Sequence, residues 1–249
     1  MIIANALHAV GEYVLLMKRV FARPIKHSMF FRQLIKEIVK CGIDSIWIVL
    51  IISFFIGTVM TLQLSIAIES PLIPRFTIGY SVREVIILEF ASSIMCLILS
   101  GKVGSSIASE VASMRVTEQI DAMEIMGINS ANFLLLPKIV GFMLFVPILS
   151  VLSMLTGIWG GYIISYIIPN ISPQQVIQGY QLMFVPYEVY YSLIKSVIFA
   201  FIISSVSGYF GYTVNGGALE VGKASTNAVV TGSVLILLAD VLLTNLLLS

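Results

Sequence analysis

The sequence predicts an all-α integral membrane protein, with N-terminal interfacial helices, five transmembrane helices and a short cytoplasmic helix between the second and third. Three observations carry this. Of 249 residues, 58% are hydrophobic and only 11% charged, at a mean hydropathy of +1.02, beyond what a soluble domain sustains. The apolar residues gather in five runs, and a span needs about 20 residues to cross a hydrocarbon core about 30 Å thick. One polar segment, Gly101 to Gly127, interrupts them with helical rather than loop-like periodicity.

Before the first run lie Lys18, Arg19, Arg23, Lys26, Arg32, Lys36 and Lys40, among amphipathic patterns such as Phe30 to Val39. Such helices suit the interface, their cations toward anionic headgroups. With Glu12 inside it and no small-residue cleavage site, the stretch from Met1 to Val20 is not expected to be a signal peptide. An interfacial arm, 1–41, and a membrane domain, 42–249, are the expected division.

The first run spans about Ile43 to Ile68; the second, Val85 to Leu99, has a weaker extension toward Met114. The third, Phe133 to Ile168, is longer than one crossing requires and contains Pro137 and Pro147, so a kink is expected near Pro147. A loop from Pro169 to Pro186 follows, with a short helix expected within Gln174 to Phe184; Asn170-Ile-Ser172 matches a glycosylation pattern of low specificity. The fourth run is Val189 to Tyr212 and the fifth Ala228 to Leu248.

In the polar segment, Val116, Ile120 and Met123 share one helical face with Gly127 a step further, while Thr117, Glu118, Asp121 and Glu124 take the other. Thr117 is expected to cap the N-terminus, Glu118 and Asp121 to sit in the first turn near the positive end of the dipole, and Gly127 to take the left-handed C-terminal position. Counting cations, the N-terminal arm, Lys102, Arg115, Lys138 and Lys223 fall on one side, against Arg75 and Arg83 on the other. The positive-inside rule therefore places the N-terminus and the polar helix in the cytoplasm and the C-terminus outside.

Gly101-Lys-Val-Gly-Ser-Ser fails the order and context of a phosphate-binding loop, so no ATP site is expected in this chain. The two histidines, His8 and His27, both lie in the arm, which leaves a zinc pair or a hydrolase triad without materials; no metal and no catalysis are expected. A net charge of +1 gives no basis for nucleic-acid binding. Cys41 and Cys96 read as buried, inert thiols. Glycine and serine pairs at four-residue spacing, Gly157 with Gly161, Ser204 with Gly208 and Ser207 with Gly211, mark close helix packing within or between subunits.

Charged groups in apolar runs cost about 2.5–3.5 kcal/mol on insertion scales when unpaired, so each calls for a partner or a role. Arg83 and Glu84 begin the second run and Glu69 ends the first, which reads either as interfacial charge or as function. Glu89 lies deeper and needs an interior partner or an aqueous cavity. Lys195 and Asp240 are expected to pair as structural intramembrane charges. Gln63, after Thr58 and near Leu62, either faces a cavity or satisfies a neighbouring backbone.

The run from Gly104 to Gly127, followed by Pro137, resembles the MlaE (YrbE) permease family. Gly157-Ile-Trp-Gly-Gly161, Leu193 to Phe199, Gly208 to Gly211, Gly222-Lys-Ala-Ser-Thr226 and Ala239 to Thr244 extend the likeness from about Gly42 onward. The resemblance implies the homodimeric permease subunit of an ABC-type phospholipid transporter, in the inner membrane of a two-membrane bacterium, maintaining outer-membrane lipid asymmetry. ATP and Mg would be bound by a separate cytoplasmic ATPase, with an MCE-domain lipid-binding protein and a STAS-domain protein as further partners. Arg115, Thr117, Glu118, Gln119, Asp121, Glu124 and Gly127 would then couple to the ATPase, and Thr58, Leu62, Gln63, Arg83, Glu84 and Glu89 would be candidates for a lipid cavity. The family's Arg-Glu-Leu-Gly-Pro stands here as Arg83-Glu-Val-Ile-Ile87, which keeps the charges and lacks the Gly-Pro break. The rival readings are an ion-coupled secondary lipid transporter using Glu84 or Glu89, and a membrane scaffold that transports nothing.

Overall fold

A computed structural model of the chain describes residues 2–22, 27–68, 74–168 and 171–248, and every regular element among them is helical. Arg23, Lys26, Glu69 and Asn170 lie outside the described residues. Helix α1 (Ile2–Phe21) is followed by α2 (His27–Glu37), which passes through a π turn at Ile38–Gly42 and a 3-10 turn at Ile43–Ser45 into α3 (Ile46–Ala67). The expected second span is built of consecutive pieces: α4 (Phe76–Val85), a π stretch Ile86–Ile94, α5 (Met95–Leu99), a second π turn Ser100–Gly104, and α6 (Ser105–Val116). The short α7 (Gln119–Ile125), the long α8 (Ser130–Ile164), α9 (Pro173–Gln181), α10 (Pro186–Tyr212) and α11 (Ala218–Leu248) complete the order. Four helical stretches are long and apolar enough to cross a membrane: 29–67, Ser130–Ile164, Pro186–Tyr212 and Ala218–Leu247. The second expected crossing, Val85 to Leu99, is not among them, its helical run being divided into shorter pieces by π turns.

Local chemistry explains the boundaries. Asn129 caps α8, its side-chain oxygen accepting from the Asn132 N–H, and α8 continues through Pro137 and Pro147. Ser172 and Gln175 form a reciprocal capping box around α9, with Pro173 in its first turn. Helix α11 begins ten residues before the apolar run does, because Ala218 to Asn227 are polar but helix-competent.

Helix α8 is the central post. It packs along α3 more extensively than any other pair of elements pack, and also meets α10, α2 and α1. Phe142, Val146 and Leu149 of α8, Leu99 and Val103 near α5, and Phe199 and Ile203 of α10 form one apolar core. Glycines set the closest approaches. A Cβ at Gly57 would enter the Gly157 carbonyl and one at Gly160 the Phe54 carbonyl, while Gly211 faces Ala108 and Val111. These small-residue positions thus bring helices of one subunit together, the mode that replaces hydrophobic driving force in lipid.

Replacing Gly57 with Val should destabilise the detergent-solubilised protein by about 2 kcal/mol or more, through overpacking at a backbone contact. Gly11→Ala, with open space around the new methyl, should stabilise by about 0.5 kcal/mol. Thermal unfolding of the two variants side by side checks both signs.

Candidate functional site

Polar groups concentrate in three places: the elbow around α7, an ion cluster between α10, α11 and the π stretch Ile86–Ile94, and the end of the chain's second helical run nearest α9.

The elbow is fixed by backbone geometry at both ends. Thr117 does not cap α7; its hydroxyl donates back to the Ser113 carbonyl at 2.8 Å and so closes α6. The capping position belongs to Glu118, held left-handed at φ 58, whose carbonyl accepts from the Ala122 N–H at 2.9 Å. The expected N-cap is therefore displaced by one residue, because a threonine hydroxyl satisfies the preceding turn as readily as the next. At the other end Gly127, at φ 78, closes a Schellman motif: Ile128 N–H donates to the Met123 carbonyl at 3.0 Å and Gly127 N–H to that of Glu124 at 2.9 Å.

Ile120 is fully buried and anchors α7, with Met123 packed against the same apolar core and Val116 against a separate small cluster. Arg115 bonds Asp121 at 2.5 Å across the turn, and the Gln119 amide donates to Thr117 Oγ1. Glu124 accepts from Tyr212 at 2.9 Å and from Ser130 at 3.0 Å, with Arg19 of α1 at 3.9 Å. The Tyr212 hydroxyl foremost, with Ser130, holds the Glu124 carboxyl below the ordinary carboxylate range. Its stabilising effect is therefore present above the unfolded value and is lost as pH falls through the folded one. Outward, the elbow presents Ile125 at 87% exposure and Met126 at 67%, beside Glu118 and Gln119. These two apolar residues lie off the stripe that sequence periodicity picks out. Their signal is an apolar pair immediately before the C-terminal glycine of a helix too short to bury two faces.

In the second place, Lys195 of α10 is fully buried, its ammonium 2.5 Å from Asp240 and 3.3 Å from Glu89. Tyr191 lies at 3.0 Å, and the Ser93 hydroxyl has Asp240 as its nearer acceptor at 2.8 Å and Glu89 as the alternative at 3.2 Å. Tyr191 and Thr244 hydroxyls bond each other at 2.8 Å. Two carboxylates thus share one ammonium. Asp240, the nearer and less exposed, is the direct partner, and Glu89, 42% exposed, is the surplus. The residues that sequence reasoning missed are Ser93, Tyr191 and Thr244, which complete the ammonium's and carboxylates' hydrogen bonds.

In the third, Arg83 is buried and donates to the carbonyls of Tyr180, Leu182 and Met183 at 2.8, 2.7 and 3.3 Å, and to Glu84 at 2.5 Å. It satisfies carbonyls at the end of α9 that have no intrahelical partner. Thr58 donates to the Phe54 and Gly160 carbonyls, joining α3 to α8, while Leu62 and Gln63 are exposed on α3. Of the six cavity candidates, the structure joins Arg83 to Glu84 and places Glu89 with Lys195.

The fold and these sites define a multi-pass helical membrane protein whose buried cations are paired with carboxylates inside it. The model of the family Permease MlaE matches residues 34–246. A probable ABC transporter permease protein of Rickettsia bellii is 32% identical over 243 residues, covering 96% of this chain and 92% of that protein. A probable ABC transporter permease protein of Synechocystis is 31% identical over 89% of this chain and 84% of its own length. The chloroplast protein TRIGALACTOSYLDIACYLGLYCEROL 1 of Arabidopsis thaliana is 27% identical over 91% of this chain and 65% of its own length. The chain belongs to the MlaE permease family and is a membrane transporter permease.

Replacing Lys195 with Met leaves two carboxylates facing each other and should cost about 3–5 kcal/mol, the range for breaking a buried ion pair. Adding Asp240→Asn should restore most of this, because Glu89 alone can be solvated. Thermal unfolding of the single and double variants in one detergent checks the sign of the coupling.

Proposed function

We propose that this chain is the permease subunit of an ATP-driven phospholipid transporter, working as a homodimer with a cytoplasmic ABC ATPase that binds the ATP and Mg. The observation that carries the reading is the elbow. A helix pinned by one buried residue, stabilised at both ends by its own backbone, and presenting Ile125 and Met126 beside acidic side chains is built to be held from outside. The names of the bacterial relatives, ABC transporter permeases, support an ATPase as the partner that holds it. The chloroplast relative, named for a galactolipid, supports a lipid substrate.

On this reading Arg115, Thr117, Glu118, Gln119, Asp121, Glu124 and Gly127 shape the coupling helix, and Ile125 and Met126 supply its apolar contact. The arm at 1–41 lies at the cytoplasmic interface, and the domain at 42–249 pairs with a second copy to enclose lipid. An MCE-domain protein and a STAS-domain protein complete the complex. The N-terminus is cytoplasmic, the C-terminus periplasmic, and the membrane is the inner one of a two-membrane bacterium, where the complex maintains outer-membrane lipid asymmetry.

The surplus carboxylate at Glu89 favours a second reading, a lipid transporter driven by an ion gradient. Lipid movement in vesicles that persists with an ion gradient and no ATP would select it.

Ile125→Glu should lower co-purification of the ATPase roughly tenfold or more, since a side chain buried at an interface contributes about 1.5–3 kcal/mol. Membrane insertion should be unchanged, because the position is exposed in the permease alone. Undiminished ATPase recovery with this variant would remove the docking assignment.

A further inference from the structure

Two cavities share Phe210 as a wall, and their linings are opposite in character. One is an apolar groove of about 590 Å³ between α1, α10 and α11, with Val10, Tyr13, Val206, Leu235 and Leu242 among its walls. The other is a polar pocket of about 340 Å³ lined by Asn215, Glu220, Lys223 and Asn227 together with Phe210. A single stripe of α11 runs through both: Lys223, Asn227, Thr231, Leu235, Leu238 or Ala239, and Leu242 recur at three- and four-residue steps. Polarity changes once along that stripe, from ionic through amide and hydroxyl to wholly apolar.

We propose that this pair of cavities binds one phospholipid of the cytoplasmic leaflet with a zwitterionic, amine-bearing headgroup, one acyl chain lying in the groove and the headgroup in the polar pocket. Sidedness rests on the permease reading given above. Four features support the assignment.

The groove is long enough. From Thr231 to Leu242 a helix rises about 16 Å, about half of a ~30 Å hydrocarbon core and so one leaflet deep. It is also open to the bilayer along one side, where Val10, Leu238 and Leu242 are 60%, 58% and 70% exposed. A chain can therefore enter sideways without leaving the membrane.

The walls carry no cation for a free fatty acid's carboxylate, and their tyrosine hydroxyls are already engaged, Tyr13 with Ser205 at 2.8 Å and Tyr209 with Glu12 at 3.1 Å. The head must therefore stay at the polar end. There the charges balance. Lys223 and Glu220 pair at 2.6 Å on adjacent turns, both substantially exposed, one cation for a phosphate and one anion for an amine.

The α1 wall is tied to the elbow as well. Asn129 donates to the Arg19 and Ala22 carbonyls at 2.9 and 3.0 Å, and Asn132 to that of Val20. Arg19 also faces Glu124 of α7. The helix that walls the groove is thus fastened at its far end to the start of α8, with α7 beside it.

The test uses the full chain in vesicles of phosphatidylethanolamine and phosphatidylglycerol, with a trace of phosphatidylethanolamine bearing a diazirine near the end of one acyl chain. Illumination should label peptides from 202–210 and 235–242 in preference to the exposed face of α3 at Trp47, Ile51 and Phe55. Lys223→Gln, an exposed change that leaves the fold intact, should lower groove labelling about tenfold, the effect of one lost charge-assisted hydrogen bond. Leu235→Trp should lower it by filling the groove, and α3 labelling should stay constant in both variants. Equal labelling of α3 and the groove, unmoved by either variant, would identify ordinary bilayer contact and overturn the proposal. Labelling by a phosphatidylglycerol probe as strong as by the amine-bearing one would overturn the headgroup assignment, and cross-links between two copies through Leu238 would give the groove to a second subunit. Because labelling needs no ATPase, loss of ATP coupling with labelling intact would count against the permease reading alone.

Discussion

Hydrocarbon offers no water to a polar group, so the charges and most of the hydroxyls that this chain carries into its apolar helices are held by partners inside the protein. Lys195 is the extreme case: a fully buried ammonium that exists only because Asp240, Glu89 and the Tyr191 hydroxyl surround it. The serines and threonines answer the same demand more cheaply. Ser45, Thr61, Thr156 and Ser204 each return a hydrogen bond to the carbonyl four residues back. Ser53 and Ser153 instead bond each other at 2.9 Å between α3 and α8, one turn from the point where Gly57 meets the Gly157 carbonyl. Close approach and polar pairing thus share a register. The absence of side chains at the glycines lets the helices come near enough for the hydroxyls to meet, and the hydroxyl pair keeps them from sliding.

The same demand shapes the elbow, where it produces connection. Glu124 of α7 is held by α8 through Ser130 and by α10 through Tyr212, and Arg19 of α1 lies close by. Above the elbow, Lys138 of α8 is buried between Glu37 of α2 and Glu110 of α6, each at 2.7 Å, and Lys40 reaches the same Glu110 at 2.9 Å. Two cations and two anions form a closed, neutral set joining α2, the following π turn, α6 and α8. Removing any member would strand charge beside the others, so α2 and the turn after it are fastened to α6 and α8, the two helices that flank the elbow.

Much of this was readable from residues. Apolar run length gave the long helices, and Gly127 was legible because left-handed backbone at a helix end favours the one residue without a Cβ. Cys96, deep in an apolar run, and Cys41, beside a basic segment and too differently placed to pair with it, were readable as buried free thiols. Less legible was anything decided by a distant partner. Thr117 had two backbone acceptors in reach, and local chemistry does not choose between them. Arg83 read as an interfacial charge or a cavity residue, whereas three carbonyls some hundred residues away determine its position. Ile125 and Met126 were hidden by the more regular stripe beside them. The polar start of α11 lay outside a reading based on apolar runs, though its four-residue spacing was there in the sequence.

The second helical run shows how the chain reconciles its charges without the break that the related Arg-Glu-Leu-Gly-Pro pattern provides. A π turn closes i to i+5 in place of i to i+4, and so shifts the facing of everything beyond it by about one residue. The π stretch Ile86–Ile94 begins two residues after Glu84 and contains Glu89 and Ser93. On one side of it Arg83 and Glu84 face the end of α9; within it Glu89 and Ser93 turn to Lys195 of α10 and Asp240 of α11. A regular helix holds one face along its length and would have to leave one of these charge sets in lipid. The π stretch supplies the rotation that proline and glycine would otherwise supply, while keeping the backbone hydrogen-bonded at the depth where an unpaired carbonyl costs most.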